Sequence, residues 1–198
     1  MQPRIPRQTA HDLAEQGMRR ADHDAGLSAA LAAVVAGARR RALRDGDRQI
    51  DTAHLLHSLL ESDPEVSAVF GEGPGSARLL GYLVQRSIGY GLRWQSAVED
   101  SGAVPVVDGS AAGLSPLAAA CMERARERAA RHGGPARGLD LLAAIVDDPQ
   151  ARAVEVLGRA GIDVPGLTAR IGARPAGSGG ARAGSAGPAD RTFGERGH

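Results

Sequence analysis

Aromatic residues are nearly missing from this chain, at 3% of 198 residues with one tryptophan, two tyrosines and two phenylalanines. A core here must be Leu, Val, Ile and Ala, the filling of short, closely packed helices, and abundant Ala and Arg favour helix by intrinsic propensity. Cysteine is the second shortage. Cys121 stands alone, which excludes an internal disulfide, leaves no Cys-based zinc site and fits a reducing compartment. Net charge is the third: 24 Lys and Arg against 23 Asp and Glu leave +1, so no general pull toward nucleic acid or acidic membranes arises. Long apolar runs are lacking too. Arg4, Arg7, Asp12, Glu15, Arg19, Arg20, Asp22 and Asp24 punctuate the start, and no stretch has the make-up of a signal peptide or a membrane span. These absences predict a soluble, cytoplasmic protein.

What is present is enough apolar residue, 42%, to build a real core. Residues 1–25 form a polar extension with at most a weak helix over Thr9 to Ala21. Residues 173–198 are rich in Gly, Ala, Ser and Pro without apolar periodicity, which predicts a disordered tail. Between them the chain repeats itself. "LSAALAAVVAGARRRALRDG" from Leu27 aligns with "LSPLAAACMERARERAARHG" from Leu114. Leu31, Val34, Val35, Ala38 and Ala42 fall over Ala118, Cys121, Met122, Ala125 and Ala129, one face of a helix in each copy. Ser28 and Ser115 are placed to cap these helices, Pro116 suits the first helical position, and Gly46 and Gly133 suit their ends.

With one residue deleted in the second loop, "TAHLLHSLLESDPEVSAVF" from Thr52 lies over "GLDLLAAIVDDPQARAVEVL" from Gly138, so Leu55–Leu56 coincide with Leu141–Leu142. After the shared Asp-Pro at 63–64 and 148–149 each copy offers a third helix. A fourth follows, from Ser76 in copy one and from Pro165 in copy two. The expected fold is all-α, an eight-helix pseudo-twofold bundle made of two four-helix repeats. One domain spans 26–172, with repeat one at 27–88, a connector at 89–113 holding Trp94, and repeat two at 114–172. Neither repeat buries enough apolar surface to fold alone.

The duplicated unit, the "TxHLL" opening its second helix, the acidic residue and proline after it, and "VEVLGRAGIDVPGLTARI" near the end resemble the Clp amino-terminal domain, or Clp repeat. That module binds substrates and adaptors at the front of Clp-type AAA+ unfoldases, and the likeness covers about residues 27–172. Those unfoldases carry the phosphate-cradling pattern GxxxxGK followed by Ser or Thr. No lysine-bearing match occurs here. The resemblance therefore implies a free-standing, non-enzymatic module without cofactor, whose partners are client polypeptides, adaptor proteins or a Clp unfoldase. Family members that read phosphorylated arginine use the glutamate of "TEHLL", where a carboxylate grips the guanidinium. The matching positions here are Ala53 and Leu139, which predicts weak or absent phosphoarginine binding and an apolar occupant instead. Ser28, Thr52, Ser115 and Gly138 flank these positions as a candidate protein-binding surface.

Other chemistry is poorly served. His54 and His57 lack the spacing of HExxH, so no metal site is expected. His54 matches the family histidine, expected to bond backbone or a helix end, and an alanine stands opposite His57 in copy two. Cys121 falls on an apolar face as a small hydrophobe. Asp147–Asp148 reads as a helix end, and no triad or acid–base pair emerges. Arg39, Arg40, Arg41 and Arg44, with Arg124, Arg126, Arg128 and Arg131, read as solvated faces, Glu127 pairing with Arg131. The competing readings are a small metal- or thiol-dependent hydrolase built on His54, His57 and Cys121, and a nucleic-acid regulator acting through the basic helices.

Overall fold

A computed structural model describes residues 26–71, 73–87, 99 and 113–174. The extension at 1–25, Trp94 and all of the 89–113 connector except Glu99 and Gly113, and the tail beyond Arg174 lie outside the described residues. Eight helices occur among the described residues. They are α1 (Ala29–Asp45), α2 (Thr52–Ser62), α3 (Pro64–Phe70), α4 (Pro74–Ser87), α5 (Pro116–His132), α6 (Gly138–Val146), α7 (Arg152–Arg159) and α8 (Val164–Gly172).

The long helices α1 and α5 begin and end by the same chemistry. Ser28 Oγ accepts from the Leu31 amide at 3.1 Å and Ser115 Oγ from the Ala118 amide at 3.1 Å, each satisfying one of the first-turn donors that a helix leaves unpaired. Gly46 and Gly133 stop them in the left-handed region at φ 74°. There a side chain would be strained. Leu31, Val34, Ala38 and Ala42 line the buried face of α1, and Leu117, Ala118, Cys121, Met122, Ala125 and Ala129 that of α5. α1 packs on α2 and α5 packs on α6, and alanine on the last turns lets backbones approach closely.

α2 and α6 are the centre of the molecule. Every residue from Thr52 to Leu59 is buried, as are Gly138 and Leu141 to Val146. A helix enclosed on nearly all sides has no solvated stripe to advertise it. The leucine pairs Leu55–Leu56 and Leu141–Leu142 are wholly inaccessible. At about 25 cal/mol per Å2 of apolar surface, each such leucine contributes on the order of 2 kcal/mol.

Two features depart from the expected all-helical plan. A parallel two-stranded ladder joins β1 (Gln49–Ile50) to β2 (Gly113–Leu114), and Leu27 bridges Ala136 in the same sense. Ser28 N–H donates to the Ala136 carbonyl and Ser115 N–H to the Ile50 carbonyl, both at 2.9 Å. Segments of two residues are too short to show the alternation that marks a strand. The Asp-Pro pairs also diverge. Asp63 Oδ1 caps α3 by accepting from the Glu65 and Val66 amides at 2.9 and 3.2 Å, whereas α7 starts three residues beyond Pro149 and Asp148 accepts from Gln150 N–H at 3.1 Å in a turn. α4 and α8 begin at Pro74 and Val164, slightly before the expected Ser76 and Pro165.

Candidate functional site

The start of α2 is a buried polar junction. Asp51 Oδ1 accepts from His54 N–H at 2.9 Å and His54 Nδ1 accepts from Asp51 N–H at 3.2 Å. This is a reciprocal capping box with histidine where glutamate is usual. His54 Nε2 faces Asp47 Oδ2 at 3.1 Å and Asp45 Oδ2 at 3.8 Å, at the end of α1. Of the expected bond to backbone or a helix end, the backbone one is present. α6 repeats half of this geometry with different residues: Arg137 N–H donates to Asp140 Oδ2 at 3.0 Å, while the Asp140 amide donates to the Arg137 backbone carbonyl.

One turn on, His57 is 4% exposed with Nε2 3.3 Å from Glu61 Oε1. Burial, reinforced by the Arg41 cation, pushes it down to about 4. Desolvation penalises the imidazolium, so the ring is neutral at pH 7. The nearest carboxylates of the two histidines differ, Asp47 and Asp51 for His54 and Glu61 for His57, while Asp45 acts on both. No group of three or more metal-ligating side chains occurs among the described residues. Cys121 is buried and its thiol is pushed up to about 12 by that burial, against the opposing pull of Arg124. At neutral pH the nucleophilic thiolate is a negligible fraction.

The most concentrated polar contact involves Glu99, a connector residue that sequence reasoning missed. Its side chain is 5% exposed. Oε2 accepts from Thr52 N–H at 2.8 Å and from Ser115 Oγ at 2.8 Å. Oε1 accepts from Arg152 N–H at 2.8 Å and from the Thr52 hydroxyl. Thr52 Oγ1 in turn accepts from Ala153 N–H at 3.1 Å. Arg152, also missed, sends Nη1 to Asp51 Oδ2 at 2.9 Å. The N-terminal ends of α2, α5 and α7 converge on one carboxylate, where amide donors and helix dipoles both favour negative charge.

The start of α6 is occupied differently. Gly138 lies against Asp63, whose Cγ would stand 2.9 Å from a Cβ at that position. Beside it Arg137 pairs with Glu65. Of the sequence-predicted site residues, Ala53, Thr52, Ser115 and Gly138 are buried, while Ser28 and Leu139 are half-buried. Thr52 and Ser115 are brought together on Glu99. Ser28 and Gly138 belong to the other end of the same arrangement, near Ala136 and Asp63.

The basic helices are laced with carboxylates. Arg41 pairs with Glu61, Arg124 with Asp148 at 3.2 Å, Arg126 with Glu123 at 2.5 Å and Arg128 with Asp140 at 3.3 Å. Much of the cationic charge is therefore spent within the fold. No helix among the described residues is long and apolar enough to cross a membrane. No known family model and no curated protein matches the chain.

Proposed function

We propose that the chain is a non-catalytic protein-binding module of the Clp amino-terminal type, formed from two four-helix repeats related by a pseudo-twofold axis. It binds client polypeptides, adaptors or a Clp unfoldase, and modulates Clp-type proteolysis or protein quality control by delivery or competition. The observation that carries this reading is the crossed pairing of the helix entries. Ser28 N–H donates to Ala136 and Ser115 N–H to Ile50 at the same 2.9 Å, and the residues of these two bonds stand 87 and 86 positions apart in the chain, the spacings of the internal repeat. Two equivalent units exchanging equivalent contacts are what a duplicated module produces. The buried, protonated Cys121 thiol favours binding over thiol-dependent hydrolysis.

Ala53 and Leu139 stand where the resemblance places a guanidinium-gripping glutamate, and neither carries a charge. Calorimetry with free phosphoarginine should give weak or no binding, and micromolar affinity would overturn that assignment. Affinity capture from cell lysate with the full chain tests the wider reading. Enrichment of a Clp ATPase, or of misfolded clients, over a scrambled-surface control is the expected result. Recovery of neither refutes it.

A further inference from the structure

We infer that the C-terminal end of α1, with Arg40, Leu43, Arg44 and Arg48, is a docking face for an acidic segment of a partner polypeptide that carries carboxylates beside an apolar side chain. All four residues are exposed, Leu43 at 58%. Arg40, Leu43 and Arg44 stand at i, i+3 and i+4, neighbours on one side of the helix. Arg39, Arg40 and Arg48 meet no carboxylate among the described residues, and Arg44 meets only Asp45, at 3.5 Å with 64% of its side chain exposed. The acidic residues closest along the chain are turned inward. Asp45 Oδ2 and Asp47 Oδ2 face the buried His54 ring at 3.8 and 3.1 Å, which leaves the guanidiniums on the outside.

The matching helix of the second half shows what a merely solvated face looks like in this molecule. On α5 the positions aligned with Ala36, Arg40 and Leu43 hold Glu123, Glu127 and Ala130, all exposed. Glu123 takes up Arg126 at 2.5 Å, whereas Arg39, aligned with Arg126, has only Ala36 at that spacing. α5 therefore mixes its charges, and α1 alone gathers cations around an exposed leucine. Like charges four residues apart destabilise a helix, and a leucine left in water forgoes its burial. A cation suits the last turn of a helix, which explains Arg44 but not Arg40 or Arg48. The remaining gain is a partner: guanidiniums hold carboxylates through charge-assisted N–H donors, and Leu43 between them fits an aliphatic side chain. A phosphate backbone has no use for that leucine, and a chain of net charge +1 lacks the broad basic surface that nucleic acid needs.

That a polypeptide supplies the carboxylates rests on the protein-binding reading above. The experiment uses the purified full chain and needs no Clp partner, so capture from lysate that succeeds while this test fails strikes the α1 face alone. The probe is a fluorescein-labelled helical peptide with glutamate, leucine and glutamate at i, i+3 and i+4 on one side, followed by fluorescence anisotropy. Binding should weaken about tenfold or more in Arg40→Glu/Arg44→Glu and roughly fivefold in Leu43→Ser. Arg131→Glu on α5 should bind as the natural chain does, and a peptide with glutamine for glutamate should not bind. Moving the face to the other half, by Glu123→Ala/Glu127→Arg/Ala130→Leu, should double the peptide bound at saturation. Every substituted position is exposed, so helical circular dichroism should be unchanged throughout. Absence of binding by the natural chain, equal affinity in all variants, or an oligonucleotide that binds more tightly than the peptide and is indifferent to Leu43→Ser would overturn the assignment.

Discussion

Replacing Gly138 by alanine should destabilise the protein, although intrinsic helix propensity argues the opposite. Gly138 is the first residue of α6 and has no left-handed backbone to protect, so alanine there would ordinarily help by up to about 1 kcal/mol. Its surroundings reverse the sign. The new Cβ would run into the Asp63 carboxylate, with Asp63 Cγ at 2.9 Å and Leu59 Cδ2 at 3.1 Å. Asp63 cannot swing away freely, because it is 6% exposed and holds the Glu65 and Val66 amides at the start of α3. Overpacking costs about 1–3 kcal/mol, and loss of the cap about 0.5–2 kcal/mol more. The net expectation is a loss of about 1–4 kcal/mol, read from urea unfolding followed by helical circular dichroism. A double-mutant cycle sharpens it: in Asp63→Ala the main obstruction is gone and only the flexible Leu59 end remains, so adding Gly138→Ala should cost much less than in the natural background. A neutral or stabilising Gly138→Ala in the natural background, or full additivity in the cycle, would refute the steric reasoning.

His57 makes stability depend on pH. Its folded value of about 4 lies below the ordinary 6.5, so the unfolded chain binds the proton first; stability is complete above 6.5 and declines as pH falls toward about 4, by at most about 3 kcal/mol. Urea midpoints across that window should show the slope, and His57→Gln should remove most of it; an unchanged slope would count against His57. Ser28→Ala and Ser115→Ala remove equivalent caps, yet Ser28 is half-buried while Ser115 also donates to Glu99. The first should cost about 1 kcal/mol and the second about 2–4 kcal/mol, because a hydrogen bond to a buried charge goes with it; equal unfolding midpoints would contradict that difference. Cys121 should resist a thiol reagent at mildly alkaline pH and react only on addition of denaturant, since burial keeps its thiol protonated; rapid labelling of the folded chain would show the site to be open.

Local chemistry made much of the fold legible. Serine and glycine at fixed offsets announced both long helices, with Pro116 marking the second, and the caps at Ser28 and Ser115 and the left-handed stops at Gly46 and Gly133 are where those residue types put them. The paired leucines marked the two most enclosed helices. What escaped detection was long-range. Glu99 lies 47 residues from Thr52 and 53 from Arg152, in a stretch without periodicity, and an isolated glutamate in a connector carries no sign of burial. Asp63 was legible as half of the Asp-Pro pair ahead of a third helix, and only the folded chain shows that its carboxylate also crowds position 138. Thr52, Ser115 and Gly138 were singled out as a surface from their places beside helix starts; their burial depends on which distant residue faces each one, and no pattern along the chain records that.

The crossed entry contacts also bear on how the molecule acquires its shape. Helical proteins usually fold fast because most of their contacts are local. Here Arg152 reaches Asp51, Ala153 reaches Thr52 and Arg170 reaches the Val69 carbonyl, each across 101 residues. Ser28 waits for Ala136 in the same way. During synthesis α1 to α4 emerge with these partners still unmade, and α2 has only part of its cover, from α1, α3 and α4, until α6 and α7 arrive. Folding should therefore be a late, all-at-once event that requires nearly the whole described chain, slower than the helix content alone would suggest.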